Sequence, residues 1–209
     1  MPIELRRDGP TTAACRLILA HGAGQDMDAP FMRDITQRVA GSRLQVIRFN
    51  FPYMVKRLET GRQRPPDRQP VLLAHWRRVI EQVRAEHSGP LFIGGKSLGG
   101  RMASLLADEQ QVAGLVCLGY PFHPPGKPQR LRTEHLLALQ TPTLICQGER
   151  DGFGNRQEVS DYRLPPNIRL HWLRDGDHSF KPRKASGLSL SDNLEAAATA
   201  VLDFIRRLT

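Results

Sequence analysis

The chain has 209 residues, of which 40% are hydrophobic, and its 30 Lys and Arg outnumber its 21 Asp and Glu for a formal net charge of +9. That length and apolar fraction fit one self-supporting core over residues 1–209 better than two half-size domains. The positive charge invites a nucleic-acid partner, but the arginines are scattered and aromatics make up only 6% of the chain. With no stacking array or nucleic-acid motif, the reading disfavours nucleic acid as a partner, keeps it only as a third alternative, and takes solubility as the plainer account of the charge.

The first residues, Met-Pro-Ile-Glu-Leu-Arg-Arg-Asp, lack an apolar signal core, and no stretch approaches the ~20 apolar residues of a membrane span. A cytoplasmic protein without a membrane span is the expectation. The oligomeric state is left open.

Short apolar runs then alternate with segments of helical period, the pattern of a mostly parallel sheet of about six or seven strands covered by helices on both faces. Arg16 to Ala20 is the first predicted core strand and leads into His21-Gly22-Ala23-Gly24. Leu44 to Phe49 is the second, followed by a proline-rich connection over residues 50 to 70. That connection carries Lys56, Arg57, Arg62, Arg64 and Arg68 against Glu59 and Asp67, the one recognisable basic segment; selection of an anionic substrate and a merely solvated face are both open readings of it.

Leu73, Trp76, Ile80 and Val83 fall at helical spacing. Leu91 to Gly94 is the next strand and runs into a glycine-rich turn, with Ala103, Leu105, Leu106 and Ala107 continuing as a helix. Gly114 to Leu118 follows, then a second proline-rich connection over residues 119 to 130. Thr143 to Gln147 and Ile168 to Leu173 complete the strands. Leu194, Val201, Leu202, Ile205 and Leu208 outline a C-terminal amphipathic helix, capped by Ser191 or Asp192, with Glu195 favouring its N-terminal dipole. Cys15, Cys117 and Cys146 each sit in a strand-like run without metal-ligand spacing and read as core thiols. Both proline-rich connections follow strands, which puts them at the carboxyl edge, where open α/β sheets bind ligands.

Chemistry concentrates in Gly95-Lys96-Ser97-Leu98-Gly99, a sharp turn between strand and helix. A serine at such an apex holds strained dihedrals, and side chains two residues to either side would strike the neighbouring strand or helix, which glycine avoids. The Lys96-Ser97 pair is not a phosphate loop, because the upstream glycine of that motif is missing.

Ser97 and its surroundings resemble the α/β-hydrolase superfamily, in particular small lidless members similar to dienelactone hydrolases. His21-Gly-Ala-Gly, Met27-Asp-Ala-Pro-Phe-Met32, Arg48-Phe-Asn-Phe-Pro-Tyr53, Gly95 to Arg101 and Gly119-Tyr-Pro-Phe-His-Pro-Pro resemble, more closely, a group of small predicted hydrolases. That group includes a testis-expressed protein and a subunit of a histone acetyltransferase complex. The resemblance implies an α/β-hydrolase fold without a lid domain and a nucleophile, acid and base in the chain order Ser, acid, His.

A serine hydroxyl needs a general base, and the base needs a carboxylate to hold its tautomer. Asp151, in the turn after Thr143 to Gln147, is the expected acid, with Glu149 its nearest rival and helix capping the alternative reading. His178, in Gly-Asp-His-Ser-Phe after the last strand, is the expected base; His123 also faces the carboxyl edge but precedes the acid. The oxyanion needs two preorganised donors, worth ~3 to 4 kcal/mol each in related enzymes. The Leu98 N–H is one, and Ala23 the other, with Gly24 its alternative and His21 fixing that loop by a hydrogen bond.

Tyr53, Tyr120 and Phe122 follow strand ends and are candidates to line the substrate pocket, as is Arg101, one helical turn past Ser97; core packing is an equal reading for the aromatics. No metal cluster or dinucleotide fingerprint appears, so no cofactor is implied. The expected function is a serine hydrolase of carboxylesterase type, working through an acyl-enzyme on a small ester or thioester whose acyl and leaving groups the sequence leaves open. The alternative is a catalytically weak or inactive hydrolase fold used for protein interaction.

Overall fold

A computed structural model describes residues 3–209. Seven strands form one sheet: β1 (Leu5–Asp8), β2 (Cys15–Ala20), β3 (Leu44–Phe49), β4 (Leu91–Lys96), β5 (Gly114–Leu118), β6 (Thr143–Gly148) and β7 (Ile168–Leu173). Their spatial order is β1-β3-β2-β4-β5-β6-β7, and every neighbouring pair is parallel except β1 with β3.

The helices are α1 (Pro30–Val39), α2 (Pro52–Thr60), α3 (Gln69–Arg84), α4 (Leu98–Ser104), α5 (Arg156–Ser160) and α6 (Leu190–Arg206). Alternate strand residues feed two apolar layers, as a period of two requires. Ile18, Ile47, Ile93, Leu115 and Ile145 point to one face, with Trp76, Val79 and Ile80 of α3. Leu17, Val46, Phe92, Val116 and Leu144 point to the other, with Ile35 of α1 and Val201 and Phe204 of α6. Both sides being covered explains why these strands read as continuous apolar runs.

From β2 the chain crosses to β3 on one side, and from β3 it passes back over β2 to begin β4 on the other. Connections therefore diverge at the carboxyl ends of β2 and β4, opening a crevice where doubly wound sheets bind ligands. The loop at residues 21–24 follows β2 and Ser97 follows β4, so both border it. The connection between β5 and β6 holds only a 3-10 turn, Glu134–Leu137, and among the described residues the carboxyl edge carries no lid domain. No helix among them is long and apolar enough to cross a membrane.

Several local expectations are corrected. β1 was not anticipated: Leu-Arg-Arg-Asp has one apolar residue and is an edge strand held by the β3 ladder and an Arg48–Asp8 ion pair at 2.9 Å. The first proline-rich connection contains α2, because Pro52 stands at the helix start, where its missing N–H costs nothing. α4 ends at Ser104 rather than continuing through Ala107; the chain tightens into turns with a Leu106 N–H to Ala103 carbonyl bond, keeping Leu106 and Ala107 buried on the way to β5. The cap of α6 is Ser189, not Ser191 or Asp192. Ser189 Oγ accepts the Asp192 N–H, and the Asp192 carboxylate accepts the Ser189 N–H in return. Asp192 thereby takes the first-turn acidic position, while Glu195 pairs with Arg38 of α1 at 2.6 Å.

Candidate active site

β4 runs two residues further than its apolar run, so Gly95 and Lys96 still belong to the sheet and Ser97 stands at its end. Ser97 has φ 49° and ψ −110°, a conformation that disfavours L side chains. Its N–H donates to the Leu118 carbonyl of β5, which anchors the strained turn. The flanking glycines are required by close approach: a Cβ on Gly95 would lie 2.3 Å from the Ala20 carbonyl oxygen, and one on Gly99 would lie 2.4 Å from the same atom. The end of β2 thus presses directly on the elbow, and any side chain at either position would push it away.

β6 ends at Gly148, and the turn that follows buries Asp151 completely. Its Oδ1 accepts the Phe153 N–H at 2.8 Å, while Oδ2 accepts from the Gln147 amide at 2.9 Å and from His178 Nδ1 at 2.8 Å. The ionised carboxylate only accepts, so the proton is on His178 Nδ1 and Nε2 is free to accept. That nitrogen lies 2.9 Å from Ser97 Oγ. The three residues form one hydrogen-bonded row from a fully buried carboxylate to a serine at the crevice. Phe153 stacks on the imidazole, with ring centroids 4.2 Å apart.

The rivals are occupied elsewhere. Glu149 binds Arg156 at 2.6 Å and accepts the Asp175 N–H at 2.9 Å, and both contacts hold its carboxyl below the usual range. Asn155, not Asp151, caps α5. His123 is buried against the Pro124 carbonyl and Glu158, away from Ser97.

On the opposite wall, the loop after β2 is tied down from beneath. His21 Nε2 accepts the Phe51 N–H at 3.1 Å, which assigns the ring proton to Nδ1, and Nδ1 donates to the Gly22 carbonyl at 2.7 Å. Burial pushes the His21 imidazole down to about 4, so it stays neutral and keeps that tautomer. The Tyr53 hydroxyl donates to the Ala23 carbonyl at 3.1 Å. Ala23 and Gly24 line the crevice with Gly22, facing Ser97 and His178, while Leu98 opens α4 directly after Ser97.

The other pocket expectations change. Tyr53, Tyr120 and Phe122 are 0 to 1% exposed and do not line the crevice. Tyr53 supports the loop after β2, Tyr120 donates to the Arg132 carbonyl, and Phe122 packs edge-on against Tyr120. Arg101 is not among the residues lining the crevice; burial, and then the Arg101 charge, push the His135 imidazole down to about 4. The cavity at Ser97, about 250 Å³, has instead apolar walls from Phe31, Met32 and Phe153. The basic segment is mostly exposed, with Arg57 alone reaching the Gly24 carbonyl at 3.4 Å.

Two functional residues escaped sequence reading. Gln147, fully buried at the end of β6, shares its amide among Asp151, the Gly154 carbonyl and the Tyr120 carbonyl, and its Oε1 accepts the Tyr120 N–H. A polar residue closing a doubly buried strand was the available signal. Lys96 entered the sequence reading as a rejected phosphate-loop lysine and as a variable position of the turn, yet it is buried and lines the crevice.

A family model described as "Alpha/beta hydrolase domain" matches residues 13–206. Among solved structures, the chain is similar to an alpha-beta serine hydrolase homologue from Coxiella burnetii at 19% identity and a TM-score of 0.72, over 95% of this chain and 90% of that one. A serine hydrolase without a lid from Xanthomonas campestris matches at 21% identity and 0.71, over 97% and 88%. A dienelactone hydrolase from Anabaena variabilis matches at 19% and 0.68, over 97% and 90%. At such identities the likeness to these structures is one of fold.

Proposed function

We propose that this chain, which belongs to the alpha/beta hydrolase domain family, is a serine hydrolase of carboxylesterase type acting on a small ester or thioester. The observation that carries the reading is the unbroken row from Asp151 through His178 to Ser97. In it Ser97 is the nucleophile, His178 the general base that takes its proton and later returns it to the leaving group, and Asp151 the carboxylate that holds the tautomer and offsets the imidazolium.

Attack on the carbonyl carbon forms the Ser97 ester and expels the alcohol or thiol. Water activated by the same histidine then releases the acid. The N–H groups of Leu98 and Ala23 receive the oxyanion, and the rigid seating of the loop by His21 and Tyr53 supports that role by preorganising the donor. A cavity of about 250 Å³ with walls from Phe31, Met32 and Phe153 suits a short acyl group rather than a long chain.

Within the family, we propose kinship with the group that includes the testis-expressed protein and the acetyltransferase-complex subunit, a reading supported by the motifs at residues 21–24, 27–32, 48–53, 95–101 and 119–125. Cys15, Cys117 and Cys146, all buried as free thiols, support a reducing, cytoplasmic setting.

The purified protein should label with a fluorophosphonate and cleave short p-nitrophenyl esters, and Ser97→Ala should do neither. Equal rates for wild type and Ser97→Ala would overturn the assignment and leave an interaction role for the scaffold.

A further inference from the structure

A lysine is expensive to bury, and one placed beside a reacting serine must have partners that justify it. Lys96, at the end of β4, is 9% exposed. Its side chain starts at the elbow and ends at the loop that carries His178. The ammonium donates to the His178 carbonyl at 2.7 Å and lies 5.5 Å from the Phe31 ring centroid of α1. It stands beside Gly119 at the end of β5, where a Cβ would be 3.0 Å from Lys96 Nζ and 3.4 Å from His178 Cε1. The carboxylates that act on it are Asp151, after β6, and Asp177, after β7. The titratable ring beside it is that of His178.

We infer that Lys96 is a positioning residue for the proposed hydrolysis: its charged ammonium clamps the His178 backbone to the elbow and so holds the imidazole within reach of Ser97. The inference rests on the hydrolase reading of the same site. The row through Asp151 orients the imidazole ring, but the backbone carrying it belongs to a loop that arrives from β7, three strands away from β4. Lys96 ties that loop to the strand bearing the nucleophile, so one residue spans both halves of the site.

A charge-assisted hydrogen bond is roughly twice as strong as a neutral one, so the clamp depends on the lysine proton. Burial pushes the Lys96 ammonium down to about 8, against the opposing pull of Asp151 and Asp177. Below that pH the residue is a cation and the clamp is tight; above it the neutral amine holds the loop less firmly. Turnover therefore declines as pH rises through about 8, while the affinity set by the crevice walls changes little.

The test is a pH profile of kcat and KM for wild type, Lys96→Met and Lys96→Gln on a short p-nitrophenyl ester, with Ser97→Ala as the background. Wild type should lose activity on the alkaline side with a midpoint near 8. Both variants should lack that limb. The methionine should lower kcat at neutral pH by about tenfold to a hundredfold, and the glutamine, a neutral donor, should restore part of it at every pH. An alkaline limb that persists in either variant, or full activity of Lys96→Met at neutral pH, overturns the inference. If the methionine variant does not fold, the limb in the glutamine variant decides. Failure of the hydrolase reading is separate, since it appears as activity that survives in Ser97→Ala.

Discussion

The crevice at Ser97 and the hollow between β7 and α6 are both open concavities, and the hollow, at about 520 Å³, is about twice the size of the crevice at about 250 Å³. The hollow is also rich in ionisable groups, among them Arg169, His171, Asp192, Glu195 and Arg207. The difference lies in how those groups are held. In the hollow Arg169, Asp192, Glu195 and Arg207 are exposed, Asp192 serves a helix cap and Glu195 an ion pair. At the crevice a carboxylate with no exposure, a ring of fixed tautomer and a strained serine converge on shared hydrogen bonds. Volume measures what can fit, whereas convergence of buried polar groups measures what can react.

The most severe way to probe this contrast, after removal of Ser97 itself, is Asp151→Asn. The amide can still receive the Phe153 N–H, so the fold should persist, while His178 loses the partner that fixes its tautomer. Turnover of a short ester should fall by about 10⁴-fold, and retention of most activity would show that burial of the carboxylate is incidental.

One step further out, Gln147→Met keeps the volume and removes every polar contact at the end of β6. It leaves the Tyr120 N–H without its acceptor and takes away one of the two donors to Asp151 Oδ2, which keeps His178. Urea unfolding should register a loss of about 1 to 3 kcal/mol, with kcat lowered by roughly tenfold, the energy of one lost hydrogen bond. An unchanged midpoint would mean that water replaces the amide.

The smallest effect belongs to the hollow. His171→Ala lies in a half-exposed position of β7, outside the crevice, and should shift stability by about 0.5 kcal/mol or less and leave ester turnover unaltered. A loss of turnover there would erase the distinction between the two concavities.

How far the sequence could be read depended on whether a feature is local. The doubly buried strands announced themselves as apolar runs, and the elbow as glycines around a serine. β1 was invisible because Leu-Arg-Arg-Asp becomes a strand only against β3, and α2 was hidden by prolines that mark a helix start as readily as a break. Tyr53, Tyr120 and Phe122 were placed correctly near strand ends, but chain position does not say which way a side chain points, and all three point into the core. Gln147 had no motif to mark it, and the motif around Lys96 marks the serine beside it; Gln147 reaches Tyr120 and Lys96 reaches His178, partners distant in sequence.

The sequence by itself determined where the core strands lie along the chain, the covered parallel sheet they build and the turn that carries Ser97, because burial pattern and turn chemistry are written over a few neighbouring positions. Only the tertiary structure decided that Ser97 and His178, 81 residues apart, share a hydrogen bond. It likewise decided that Tyr53, Tyr120 and Phe122 lie in the core rather than along the crevice and that Lys96 reaches the His178 carbonyl. Those contacts are set by where the strands end after the sheet has assembled, and no local stretch of chain carries that information.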